Sequence, residues 1–106
     1  IDEIAIPIPK IWDGKWRLVV FDIPNDEKLA RDILRNKLKN LGFYKLQKSV
    51  WLYPYECQDE INFIKEIYEV KPYVKTATVE QIDGEEDYLT YFGLQSQSKH
   101  HQIKHQ

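Results

Sequence analysis

Three groups of side chains in this 106-residue chain could do chemistry. The first is a single carboxylate, Asp22, at the end of an otherwise apolar run, Leu18-Val19-Val20-Phe21-Asp22. Burying a carboxylate unpaired is costly. Asp22 must therefore accept hydrogen bonds from the following turn, pair with a basic side chain, or ligate a cation. Alone it makes a weak magnesium site, because that ion takes an octahedral oxygen shell. Two copies of Asp22 facing each other across a homodimer axis would instead form a shared-proton pair or a divalent-cation site. The second group is basic. Lys28, Arg31, Arg35 and Lys39 fall within about 80° of one another on a helical wheel at roughly 100° per residue, and Lys45 and Lys48 follow directly. Such a stripe is either the solvated face of a helix or a surface that neutralises phosphates, with salt-sensitive and largely sequence-independent binding. The third group is aromatic: Trp51 and Tyr53 share one strand face, to pack in a core, meet a partner subunit or stack on bases.

The same inventory excludes much else. All three histidines, His100, His101 and His105, fall in the polar C-terminal segment, leaving Ser-His, Cys-His and His-based zinc chemistry unsupported in the rest of the chain. The four glycines form neither a phosphate-cradling loop nor a G-x-G-x-x-G turn, so nucleotide cofactors are not expected. No cofactor is required, and magnesium enters only with Asp22. Cys57, the sole cysteine, rules out an internal disulfide. It precedes a helix, whose N-terminal end can lower a thiol pKa, but cysteine is among the most buried residue types. No apolar run approaches the roughly 20 residues that span a bilayer, and the start lacks the pattern of a signal peptide. The expected place is the cytoplasm, away from membranes. The chain has no methionine, which predicts a piece of a longer protein or a processed one.

The net charge of −2 hides an asymmetry. Residues 15–53 carry nine basic and four acidic side chains, and residues 54–92 three basic and ten acidic. Any phosphate contact should come from the first half.

The elements that must position these groups follow from the apolar spacing. Residues 1–14, with Ile6-Pro7-Ile8-Pro9, read as an extended linker or arm, because proline removes an amide donor and holds its predecessor extended. Residues 15–94 read as one small domain, and residues 95–106 as a disordered polar tail. Within the domain, residues 16–23 predict a strand covered on both faces. A helix capped by Asn25 or Asp26 and stopped by Gly42 follows, with Leu29, Ile33, Leu34, Leu38 and Leu41 on one face and Lys37 snorkelling at its edge. Residues 43–47 and 49–53 predict a hairpin or a bent strand, residues 58–70 a second helix and residues 73–80 a last strand. An acidic turn and a short amphipathic piece at 86–92 close the domain. This order is α+β: a ferredoxin-like βαββαβ sandwich, an antiparallel sheet with two helices on one face.

Trp12-Asp13-Gly14-Lys15-Trp16-Arg17-Leu18-Val19-Val20-Phe21-Asp22-Ile23-Pro24, with Arg31, Leu34-Arg35, Leu38, Leu41-Gly42-Phe43, Leu46, Val50-Trp51 and Pro54, resembles the central domain of the PaaX-like transcriptional repressors. The shorter pattern Val20-Phe21-Asp22-Ile23-Pro24 with Leu46-Gln47-Lys48-Ser49-Val50-Trp51 is similar to the small CRISPR-associated subunit of spacer acquisition, known as an endonuclease. The repressor resemblance implies a homodimerising ferredoxin-fold domain behind an N-terminal winged helix that reads DNA. The CRISPR resemblance implies a magnesium-dependent endonuclease, or a dimeric DNA-holding adaptor for an integrase. In that family the strand-end Asp, here Asp22, is the metal ligand shared across the dimer. The neighbouring aromatic falls on Phe21, the helix Arg on Arg31, the hairpin aromatic on Trp51 and a basic hairpin residue on Lys45. A second helix Arg of some members has Leu29 in its place. A protein-interaction module with no nucleic-acid role is the remaining class.

Overall fold

The apolar run at residues 16–23 forms a strand, β1 (Trp16–Phe21), in the computed structural model, which describes residues 4–96. Pro24 then holds an extended conformation that starts a 3-10 turn, Asn25–Glu27, with the Glu27 amide donating to the Pro24 carbonyl at 2.9 Å. The helix α1 begins only at Lys28 and runs Lys28–Asn40, with no side-chain cap. The expected capping by Asn25 or Asp26 is therefore absent, because those residues are used in the tighter turn. At the other end Gly42 takes φ +99°, and the amides of Gly42 and Phe43 donate to the carbonyls of Lys39 and Leu38. This is the left-handed stop that the glycine predicts.

The hairpin is β2 (Tyr44–Gln47) and β3 (Val50–Tyr53). A second helix, α2 (Gln58–Ile67), ends earlier than its apolar spacing suggests, at Tyr68 and a left-handed Glu69. After a 3-10 turn, Lys71–Tyr73, comes β4 (Val74–Val79), and α3 (Glu85–Phe92) closes the order. The strands lie in the order β2-β3-β1-β4 and every pairing is antiparallel. The β1-α1-β2 connection thus straddles β3, and β3-α2-β4 straddles β1. This is the split βαβ pairing of a ferredoxin-like α+β fold.

Register decides which side chains meet. Val19 lies opposite Trp51 on one side and Thr76 on the other. On this face Val19, Phe21, Trp51, Tyr53 and Val74 pack beneath Leu34 and Leu38 of α1 and Ile61 and Ile64 of α2, so both helices cover one face as expected. Each such aliphatic side chain contributes about 1.5–3 kcal/mol relative to exposure. Burial is complete at Leu34 and Leu38 but not at Leu29, which is 74% exposed in the first turn of α1 although its spacing places it on the apolar stripe.

The opposite face of the sheet is half covered. Trp12 and Trp16 meet edge to face at 4.9 Å over Leu52, and α3 brings Tyr88, Leu89 and Phe92 against them. Beyond that cover Val20 is 39% exposed, Ala77 is exposed, and Leu18, Leu46 and Val50 are half-buried. The arm is extended but not detached: Ile6 is buried in the helix-side core and Trp12 in the other cluster. Of the segment expected as a polar tail, residues 97–106 lie outside the described residues, as do His100, His101 and His105.

Candidate nucleic-acid interface

Asp22 stands just past the end of β1. Its backbone amide donates to the Tyr73 carbonyl at 2.9 Å, which fixes the backbone, while the side chain is exposed. The cost of burying it, on which the sequence argument rested, does not arise. Nearby, the Tyr73 hydroxyl donates to Glu27 Oε2 at 3.4 Å, and the negative charge of Glu27 pushes the phenol's pKa up. Among the described residues no group of three or more His, Cys, Asp or Glu side chains is placed to hold a metal ion. Within one chain Asp22 offers magnesium a single carboxylate, which is a weak site unless a second copy adds to it.

The basic stripe survives, but its members differ. Lys28, Lys39, Lys45 and Lys48 are exposed, whereas Arg31 and Arg35 are half-buried. Arg31 Nη1 makes a long hydrogen bond to Asn25 Oδ1 at 3.4 Å, and its Nε has no partner. Arg35 is engaged on three sides. Its Nε donates to the Lys48 carbonyl at 3.0 Å, its guanidinium lies 5.8 Å from the Phe21 ring centroid, and Nη1 is 3.8 Å from Asp32. The Lys48 carbonyl also accepts from Trp51 Nε1 at 3.1 Å. The structure therefore brings the end of the hairpin and α1 together through backbone, leaving the lysine side chains at the surface.

Phe21 and Trp51, expected at an interface or in stacking, are both buried in the helix-side core, 3% and 4% exposed. Their ring faces are covered by α1 and α2 and are not open to bases or a second subunit, which corrects that expectation. The reason is register: both lie on the face of the sheet that the helices cover. Cys57 is likewise buried, and burial, reinforced by the negative charge of Glu56, pushes its thiol up to about 12. A lowered, reactive thiol is excluded.

One functional-looking residue escaped the sequence reading. Arg17 sits within β1 yet is only 8% exposed, and its guanidinium reaches Asp13, the Lys15 and Pro54 carbonyls and, at 3.6 Å, Glu56. Both terminal nitrogens are engaged in structure, while the buried Nε has no partner. Asp13 four residues earlier was the available signal. No helix among the described residues is long and apolar enough to cross a membrane.

Residues 9–91 match the family model of the PaaX protein central Cas2-like domain. Comparison with curated proteins and with solved structures returns no match.

Proposed function

The chain belongs to the PaaX central Cas2-like domain family, and on that premise we propose that it is the homodimerising domain of a PaaX-like transcriptional regulator, associated with nucleic acid in the cytoplasm. The observation that carries this reading is the extent of the match: residues 9–91 take in all four strands and all three helices of the described residues, save the last residue of α3. Two features support it. The sheet face around Val20, Ala77 and Val50 is only part-covered, an apolar centre edged by exposed Lys75 and Gln47, and a second copy can complete it. Lys28, Lys39, Lys45 and Lys48 present exposed cations from α1 and the hairpin, suited to a phosphate backbone rather than to base edges. In this reading the sequence-specific contacts belong to a winged helix ahead of the domain, and the domain adds dimerisation and non-specific affinity.

The nucleic-acid part is tested by titrating the chain with duplex DNA over a range of salt. Log K should fall linearly with log salt, and Lys45→Ala with Lys48→Ala should flatten that slope by roughly 1 to 2. Absence of binding at low salt rejects it.

A second reading, a magnesium-dependent endonuclease or an integrase adaptor, is favoured by one observation, the exposed carboxylate of Asp22 at the strand end. It needs ligands from a second copy. Incubation with DNA and RNA in magnesium, comparing the wild type with Asp22→Ala, tests it; equal residual activity in both sinks an Asp22 mechanism.

A further inference from the structure

The sequence groups Arg35 with the lysines as one of several cations on a stripe. Its contacts set it apart. The Arg35 Nε hydrogen bond ends on a backbone carbonyl, that of Lys48 in the β2–β3 turn, and not on a side chain. The same carbonyl accepts from Trp51 Nε1, and the next carbonyl, that of Ser49, accepts from the Phe21 amide at 3.1 Å. The turn is thereby pinned to three elements: to α1 by Arg35, to β3 by Trp51 and to β1 by Phe21. Phe21 recurs in the arrangement, since its ring also supports the guanidinium at 5.8 Å. Lysine could not replace this, because its ammonium lacks the planar fork that bonds sideways through Nε while lying over a ring.

The pinned end of the hairpin carries cations: Lys48 is exposed in the turn and Lys45 in β2, three residues before it, and Lys28 and Lys39 are exposed on α1, the helix to which Arg35 fastens the turn. β2 is short, an edge strand, and its register is irregular between Lys45 and Gln47, so the ladder alone holds this end of the hairpin weakly. A two-part basic surface binds a stiff polyanion well only if its parts keep a fixed relation, because ordering them on contact costs affinity.

We propose that Arg35 is a positioning residue of the phosphate-binding surface: it fastens the turn at Lys48, and with it the hairpin end that carries Lys45, to α1, so that hairpin and helix lysines engage one backbone together, and it does not itself contact phosphate. The inference rests on the nucleic-acid association proposed above.

The experiment is a double-mutant cycle in the complete chain, read by equilibrium binding to duplex DNA at fixed low salt. Arg35→Lys preserves charge but removes the clamp. It should weaken binding by about five- to tenfold in the wild-type background and have no further effect once Lys45→Ala and Lys48→Ala are present. Amide exchange provides a readout that does not depend on DNA. In Arg35→Lys the Phe21 amide, which donates to Ser49, should exchange faster, while the Ile61 amide in α2 stays protected and shows that the fold is intact. An equal loss of affinity in both backgrounds overturns the proposal, since Arg35 would then act as an independent contact, and so does unchanged Phe21 exchange. Failure of the wild type itself to bind at low salt overturns the nucleic-acid reading and the proposal with it, and is distinguished by appearing before any substitution is made.

Discussion

Arg17 grips Asp13 with two parallel hydrogen bonds, Nη1 to Oδ1 at 3.0 Å and Nη2 to Oδ2 at 2.7 Å, at the point where the arm enters β1. Nη1 also donates to the Pro54 carbonyl at 2.8 Å, beyond the end of β3, and to the Lys15 carbonyl at 3.1 Å. One buried cation thus ties the arm, the first strand and the exit of the hairpin together. Fork-shaped pairing of this kind suits arginine alone.

Removing the partner should show what the tie contributes. Asp13→Asn leaves a mostly buried guanidinium without its carboxylate, and denaturant melts at neutral pH should register a loss of roughly 1–3 kcal/mol. The pH dependence has a definite sign. The hydrogen bond from Arg17 holds the Asp13 carboxyl below the usual carboxylate range, against an opposing push from burial and with help from the Lys15 amide. A depressed carboxyl stabilises fully above its unfolded value, about 3.9, and the contribution is lost as pH falls through the lower folded value. The difference between the wild type and Asp13→Asn should therefore shrink below about pH 4; a difference that stays constant from neutral pH into acid would refute this role.

Cys57 should behave as a core residue and not as a nucleophile. With its thiol pushed up to about 12 by burial, it carries almost no thiolate at pH 8. Labelling by a disulfide or maleimide reagent should proceed only as fast as the chain unfolds, and should become rapid in denaturant. Prompt labelling of the native chain would show the site to be open.

Glu69 is the one non-glycine residue with positive φ among the described residues, at +56°. It closes α2 with the hydrogen bonds of a left-handed stop, Glu69 amide to Glu66 carbonyl and Val70 amide to Lys65 carbonyl. An L side chain there is strained, so Glu69→Gly should stabilise by about 0.5–1 kcal/mol despite the added freedom of the unfolded chain. A thermal melt shifted upward supports this, and a downward shift counts against it.

The order of elements was legible because each rests on a local signal: the β-favouring run closed by Pro24, the leucine spacing of α1 stopped by Gly42, and the isoleucines of α2. What failed were features set by tertiary placement. Leu29 has the right spacing but lies in a first turn that the core does not reach. Trp51 and Phe21 read as candidate interface aromatics, yet the alternation that put Trp51 with Tyr53 does not say which sheet face the helices choose. The site showed the same limit. Four exposed lysines were correctly placed at the surface, but nothing in the spacing of Arg35 reveals that its bond goes to a carbonyl thirteen residues away. Asp22 was singled out for a burial cost that it does not incur.

The dimer proposed above would pair two copies of this domain through the part-covered sheet face. Light scattering across a concentration series measures that directly. The wild type should approach twice the chain mass, and Val20→Asp, on the 39% exposed valine of that face, should return it to a single chain with an unchanged circular dichroism spectrum. A wild-type mass that stays at one chain up to the highest concentration contradicts the claim.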